Sequence, residues 1–159
     1  MNDYTKGILT GVSLILCFFM FVSAKSQSKN LGDITVNSIT VVDDGTGGYI
    51  QTFNADGKDT AYLGTSEVGG GILQTFNTDG TQTTYLGTSI NGVGFIKTIN
   101  RDGKQTAYLG TGKEGFGFLQ TFNKNGVETG YFGTNINNDG MALLLDRYGD
   151  AGWSASGKK

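Results

Sequence analysis

The sequence predicts an all-β fold: an antiparallel β-hairpin repeat array of about five 23-residue units behind an N-terminal hydrophobic helix. A repeat of unvarying length is the first reason. Phe53, Phe76, Ile99 and Phe122 lie 23 residues apart, as do Gly64, Gly87, Gly110 and Gly133, and a fixed period marks one supersecondary unit used as a building block. Turn chemistry is the second reason. Asn54, Asp56 and Gly57 recur as Asn77, Asp79 and Gly80, then Asn100, Asp102 and Gly103, then Asn123, Asn125 and Gly126. Each set reads as a type I turn closed by a left-handed glycine, the three-residue hairpin loop with a G1 bulge. The third reason is that the 159 residues include no Pro, which suits an unbroken ladder because Pro would remove a donor from it.

Residues 1–24 come first. From Gly7 to Ala24 the chain carries no charge, between Lys6 and Lys25. As a helix these 18 residues would span roughly 27 Å, the short limit for a hydrocarbon core of about 30 Å. The segment reads as an export signal. The small residues of Val22-Ser23-Ala24 favour a cleaved signal peptide with a mature N-terminus at Lys25, and an uncleaved membrane anchor through residues 7–24 is the alternative. Residues 25–48 read as a linker with initial β-strands, Asp33 to Asp44 forming one or two of them.

Residues 49–140 hold four complete units. In the first, two runs rich in Tyr, Ile, Thr, Phe and Leu flank the Asn54–Gly57 turn and read as strands. Setting Asn54 opposite Lys58 places Thr52 across from Thr60, Ile50 across from Tyr62, Tyr49 across from Leu63 and Phe53 across from Asp59. Both faces then carry apolar groups, so the sheet is either covered on both sides or a freestanding layer with aromatic ladders along it. A single unit buries too little apolar surface to offset the entropy of ordering it, so neighbours must stack. Residues 141–159 form a degenerate capping repeat, in which Leu145, Asp146 and Gly149 keep the grid and Trp153 falls one place before a Tyr. The rival fold is a β-solenoid with one coil per repeat; parallel Thr52–Thr75 pairing would identify it, antiparallel Thr52–Thr60 pairing the hairpins.

Composition narrows the function. With no His, one Cys and a net charge of −2, the chain offers no catalytic histidine and no basic stripe for nucleic acid. Cys17 lies in the apolar stretch, so the array itself has no disulfide and no thiol nucleophile. The Asn-x-Asp-Gly tips share their final pair with calcium loops, yet no bidentate Glu follows at the required spacing, and turn formation alone accounts for them. In the fourth unit Asn125 replaces the aspartate, which repeated carboxylate catalysis would not tolerate. No catalytic residue, metal site or cofactor is therefore expected. Tyr62, Tyr85, Tyr108 and Tyr131 form a column once units stack, which serves cross-strand packing or, as the alternative, a glycan platform. Thr52, Thr75, Thr98 and Thr121 form a second column, similar to the threonine arrays of ice-binding solenoids, and it is expected to share its face with Ile50 and Tyr62.

The period, the paired Gly92-Val93-Gly94 and Gly115-Phe116-Gly117, the Asp-Gly turn and Tyr62-Leu63-Gly64 together resemble MORN-type β-hairpin arrays over about 95 residues, Gly48 to Gly140. Four residues separate Asp-Gly from Tyr here, where that family has two. The chain is also similar to exported bacterial proteins with Asn-x-Asp-Gly-Lys and Tyr-Leu-Gly repeats. Either resemblance implies an elongated hairpin sheet used for scaffolding or contact and carries over no catalytic residue. The resulting expectation is a non-enzymatic exported structural or adhesive protein, at the cell surface, in the periplasm or secreted. Its expected partners are a second copy, a surface protein or a glycan.

Overall fold

The computed structural model describes residues 2–23, 32–45 and 47–157. The chain divides into two units, Met1–Ile39 and Thr40–Lys159. The first holds helix α1 (Asp3–Ser23). Asn2 caps it, its Oδ1 accepting the Thr5 amide at 3.0 Å, and Asp3 sits in the first turn, where a negative charge suits the helix dipole. Among the described residues no helix is long and apolar enough to cross a membrane. Ala24 and Lys25, on either side of the expected cleavage point, lie outside the described residues.

The second unit is one open sheet of ten antiparallel strands in chain order: β1 (Tyr49–Phe53), β2 (Asp59–Thr65), β3 (Gly71–Phe76), β4 (Gln82–Thr88), β5 (Gly94–Ile99), β6 (Gln105–Thr111), β7 (Gly117–Phe122), β8 (Glu128–Thr134), β9 (Gly140–Leu145) and β10 (Ala151–Ser156). Each strand pairs only with its neighbours in sequence, and β1 does not pair with β10. This is the hairpin array, and it excludes the solenoid: Thr75 pairs with Ala61 and Thr84 in antiparallel strands, not with Thr52.

One turn geometry joins each strand to the next. At the Asn54 turn, the Asn54 amide donates to Lys58 O at 2.9 Å and the Gly57 amide to Asn54 O at 3.0 Å. The same two bonds recur at the turns opened by Ser66, Asn77, Ser89, Asn100, Gly112, Asn123, Asn135 and Asp146. The fourth residue is left-handed each time, a glycine except at Asn138 (φ 64°), because a Cβ at positive φ meets the following carbonyl.

The left-handed residues 57, 69, 80, 92, 103, 115, 126, 138 and 149 fall alternately 12 and 11 residues apart. The longer step holds an extra residue. Phe53 pairs with Asp59 but Thr52 pairs with Ala61, so Thr60 and Ala61 together oppose Thr52 in a two-against-one bulge. Thr83, Thr106, Thr129 and Gly152 take the same place in later hairpins. This corrects the expected register by one residue: Thr52 faces Ala61, not Thr60, Ile50 faces Leu63, not Tyr62, and Tyr49 faces Gly64, not Leu63. Thr60 nevertheless reaches Thr52, their hydroxyls 2.6 Å apart, and so do Thr83 with Thr75 (2.9 Å) and Thr106 with Thr98 (2.8 Å).

The strands expected between Asp33 and Asp44 do not form among the described residues; β1 opens the sheet. Asp43 Oδ1 accepts the Gly45 amide at 2.7 Å and the Gly47 amide at 2.8 Å, and both glycines have positive φ (104° and 86°). These two amides, Gly47 first, hold the Asp43 carboxyl below its ordinary range. Two positive-φ glycines distinguish this segment from the repeat's turn, which has one, and no strand forms ahead of β1 among the described residues.

Candidate functional site

The register sorts side chains onto two faces. On one, Tyr49, Tyr62, Ile72, Tyr85, Phe95, Tyr108, Phe118 and Tyr131 run across successive strands. The four tyrosines singled out by the repeat therefore share a face but do not stack on one another. Tyr85 stacks on Phe95 (centroids 5.0 Å, interplanar 8°), Phe95 on Tyr108 (5.4 Å), Tyr108 on Phe118 (5.3 Å) and Phe118 on Tyr131 (5.7 Å). Tyr62 stacks on Tyr49 at 5.4 Å. Each such pair is worth about 0.5–1.5 kcal/mol beyond its area burial.

The Tyr-x-Gly pattern has a geometric cause. Each tyrosine lies along its strand over the glycine two residues on, and the Tyr62 and Tyr131 hydroxyls donate to Thr65 O (3.0 Å) and Thr134 O (2.9 Å). A Cβ at Gly110 would stand 2.8 Å from Tyr108 Cε1 and 2.7 Å from Phe95 Cβ, and one at Gly87 would stand 2.8 Å from both Tyr85 Cε1 and Ile72 Cγ2. Real Cβ atoms do not come that close, so only glycine admits both rings. Tyr108, enclosed by two phenylalanine rings, has its phenol pushed above the ordinary value by desolvation.

The interleaving residues Tyr49, Ile72, Phe95 and Phe118 were legible at the same 23-residue spacing, since they fall on one grid position. Ile72 is the one buried apolar residue among those described, at 8 % exposure. As an aliphatic link it interrupts the rings between Tyr62 and Tyr85. A groove of about 410 Å³ opens there, lined by Tyr62, Ser66, Glu67, Gln74 and Tyr85 among others, and Lys97 Nζ lies 5.2 Å from the centre of the Tyr85 ring.

The turn residues serve the backbone. Asn54 Oδ1 accepts the amides of Asp56 (3.0 Å) and Lys58 (2.9 Å), and Asn77, Asn100 and Asn123 repeat the pattern. Asn100 Nδ2 donates to Lys124 O and Asn123 Nδ2 to Arg147 O, both at 3.0 Å, tying these two turns to the turn one repeat further along the same edge. Asp79 meets Arg101 at 3.2 Å on the surface, a pair worth little in water. Among the described residues no group of three or more His, Cys, Asp or Glu could hold a metal ion.

The opposite face is built differently. Ile50, Leu63, Leu73, Leu86, Ile96, Leu109, Leu119 and Phe132 pair directly across eight strands. Thr52, Thr75, Thr98 and Thr121 flank this row, joined by the bulge threonines. Tyr62 is absent from the face, contrary to the expected sharing, because the bulge shifts it to the other side.

No family model and no curated protein matches the chain. Among the solved structures that resemble part of it are two of TarM. TarM is 19 % identical with a TM-score of 0.37, covering 58 % of this chain and 19 % of its own. A mutant of S. aureus TarM in complex with fondaparinux, α-GlcNAc-glycerol and UDP is 17 % identical with a TM-score of 0.40, covering 66 % and 21 %. This chain thus spans about a fifth of their length.

Proposed function

We propose that the chain is a non-enzymatic, exported structural or adhesive protein whose hairpin sheet is its contact surface. The observation that carries this reading is the use made of the repeated residues. The asparagines accept turn amides, the left-handed glycines close turns, and the tyrosines and their glycines build a stacked ladder. Each of these recurring residues has a structural task in a turn or in the ladder. Export rests on the uncharged run from Gly7 and the small residues before Lys25.

A glycan-binding module is the second reading, favoured by the groove where Ile72 interrupts the rings and where Gln74 and Glu67 join Tyr62 and Tyr85. One variant separates the two. In the structural reading Tyr85→Ala removes a ring stacked on Phe95 and lowers stability by about 2–3 kcal/mol in a denaturant melt, while the parent protein is not retained on chitin or cellulose. Retention by the parent that Tyr85→Ala abolishes with an unchanged melt establishes the glycan module instead.

A further inference from the structure

The leucine face carries no charged residue on any of the ten strands, whereas the tyrosine face carries Asp59, Lys97 and Glu128. Its apolar row is in register from β1 to β8, yet its side chains remain open, from 37 % exposed at Ile96 to 70 % at Phe132. On the tyrosine face the rings of Tyr62, Tyr85, Phe95, Tyr108, Phe118 and Tyr131 are half-buried, whereas Tyr49 on the edge strand is 49 % exposed. Along the leucine row the neighbours are too short to cover one another. The eight side chains from Ile50 to Phe132 present roughly 700 Å² of apolar surface, above the ~300–600 Å² of the largest patch on a typical monomer and close to the ~800 Å² each partner gives to a standard interface. Around the central strands this face is concave, a groove of about 980 Å³ lined by Leu86, Ile96, Leu109, Leu119 and Phe132 together with small residues such as Gly94.

We infer that this face docks against the same face of a second copy, making a two-layer sandwich with the leucine rows at its centre. The row is its own complement. A two-fold axis lying between the sheets lays it back on itself, apolar against apolar, with threonine and glycine rows on both flanks. The glycines paired with Thr88, Thr111 and Thr134 leave room beside the row for the facing side chains, as sheets packed about 10 Å apart require. The available area fits one standard protein interface, and a charge-free face excludes a partner recognised by ion pairs. This inference is independent of export and of the tyrosine groove.

The test is sedimentation of the full chain between about 1 and 100 µM, a range that resolves a micromolar Kd. The expected result is a dimer that Leu109→Lys weakens at least about tenfold and Gln120→Lys, on the tyrosine face, leaves intact. Leu109 is 52 % exposed, so its variant keeps the parent's monomer fold. Trp153, the one tryptophan, lies on the docking face. Its emission therefore shifts to the red on dilution in step with the monomer fraction, an unmodified readout that decides the matter if Leu109→Lys misfolds. A monomer throughout the range overturns the inference, as does a monomer that floats with phosphatidylglycerol vesicles. A dimer insensitive to Leu109→Lys, or one whose dissociation leaves Trp153 emission unchanged, uses another surface and overturns it too.

Discussion

In the four complete hairpins a tyrosine leans over a glycine two residues on, whereas in the β9–β10 hairpin those two places hold Ser154 and Ser156. The fifth hairpin keeps the turn and the bulge. Asp146 accepts the amides of Tyr148 (2.8 Å) and Asp150 (3.0 Å), Gly149 has φ 94°, and Gly152 occupies the bulge. It pairs along β10 in the same register, yet every β10 residue is exposed. The difference separates two jobs: turn and bulge set which residues face each other, and the tyrosine–glycine ladder adds ring stacking across the strands; β10 shares its exposure with β1, the other edge strand.

Substitution of the ladder glycine gives the largest contrast. Gly110→Val places its branches against Phe95 and Gly94 O and lowers stability by about 3 kcal/mol. Ser156→Val, at the matching place of the fifth hairpin where Ser154 stands in place of the tyrosine two residues before, costs less than Gly110→Val. Equal shifts in the two thermal melts would break the comparison. At the turns the contrast closes. Gly80→Val (φ 83°) and Gly149→Val (φ 94°) each cost about 1–3 kcal/mol. A silent Gly149→Val would mean that the last hairpin is not held by its turn.

The smallest effect is a pH dependence confined to the complete units. The Tyr108 phenol titrates above its ordinary value of 10.0 in the folded sheet because desolvation disfavours its anion. Between that value and the raised one the unfolded chain has released the proton and the folded chain has not. The stabilising contribution is therefore full below pH 10.0 and is lost as pH rises through the folded value. Urea midpoints on either side of the phenol range should fall more in the parent than in Tyr108→Phe, and identical falls would assign the loss to other groups.

The period and the turns were legible because turn chemistry is local: Asn54 bonds only the backbone of Asp56, Gly57 and Lys58. Register was not. Thr60 looks like any strand residue, and its bulge shows in the sequence only as the alternation of 12 and 11 between left-handed residues, which places Ile50 against Leu63. The ladder was half legible. The tyrosines stood out through identity, while their partners Tyr49, Ile72, Phe95 and Phe118 vary in type and share only position and size. The segment before β1 misled because Ile34, Val36, Ile39 and Val41 have strand propensity, but propensity places no residue in a sheet without a turn that returns it to a partner.

Because every strand is bonded only to the strands before and after it, the sheet has no clasp under mechanical load. A pull on Tyr49 and Ser156 detaches strands from the ends inward, one after another, since none is locked beneath a third. Each hairpin that peels away releases 23 residues, about 80 Å of contour at full extension. Such a sheet yields in even increments under tension instead of snapping once. On release each freed hairpin closes around its own turn and bulge, so the plate recovers its alignment without help from the strands that stayed attached.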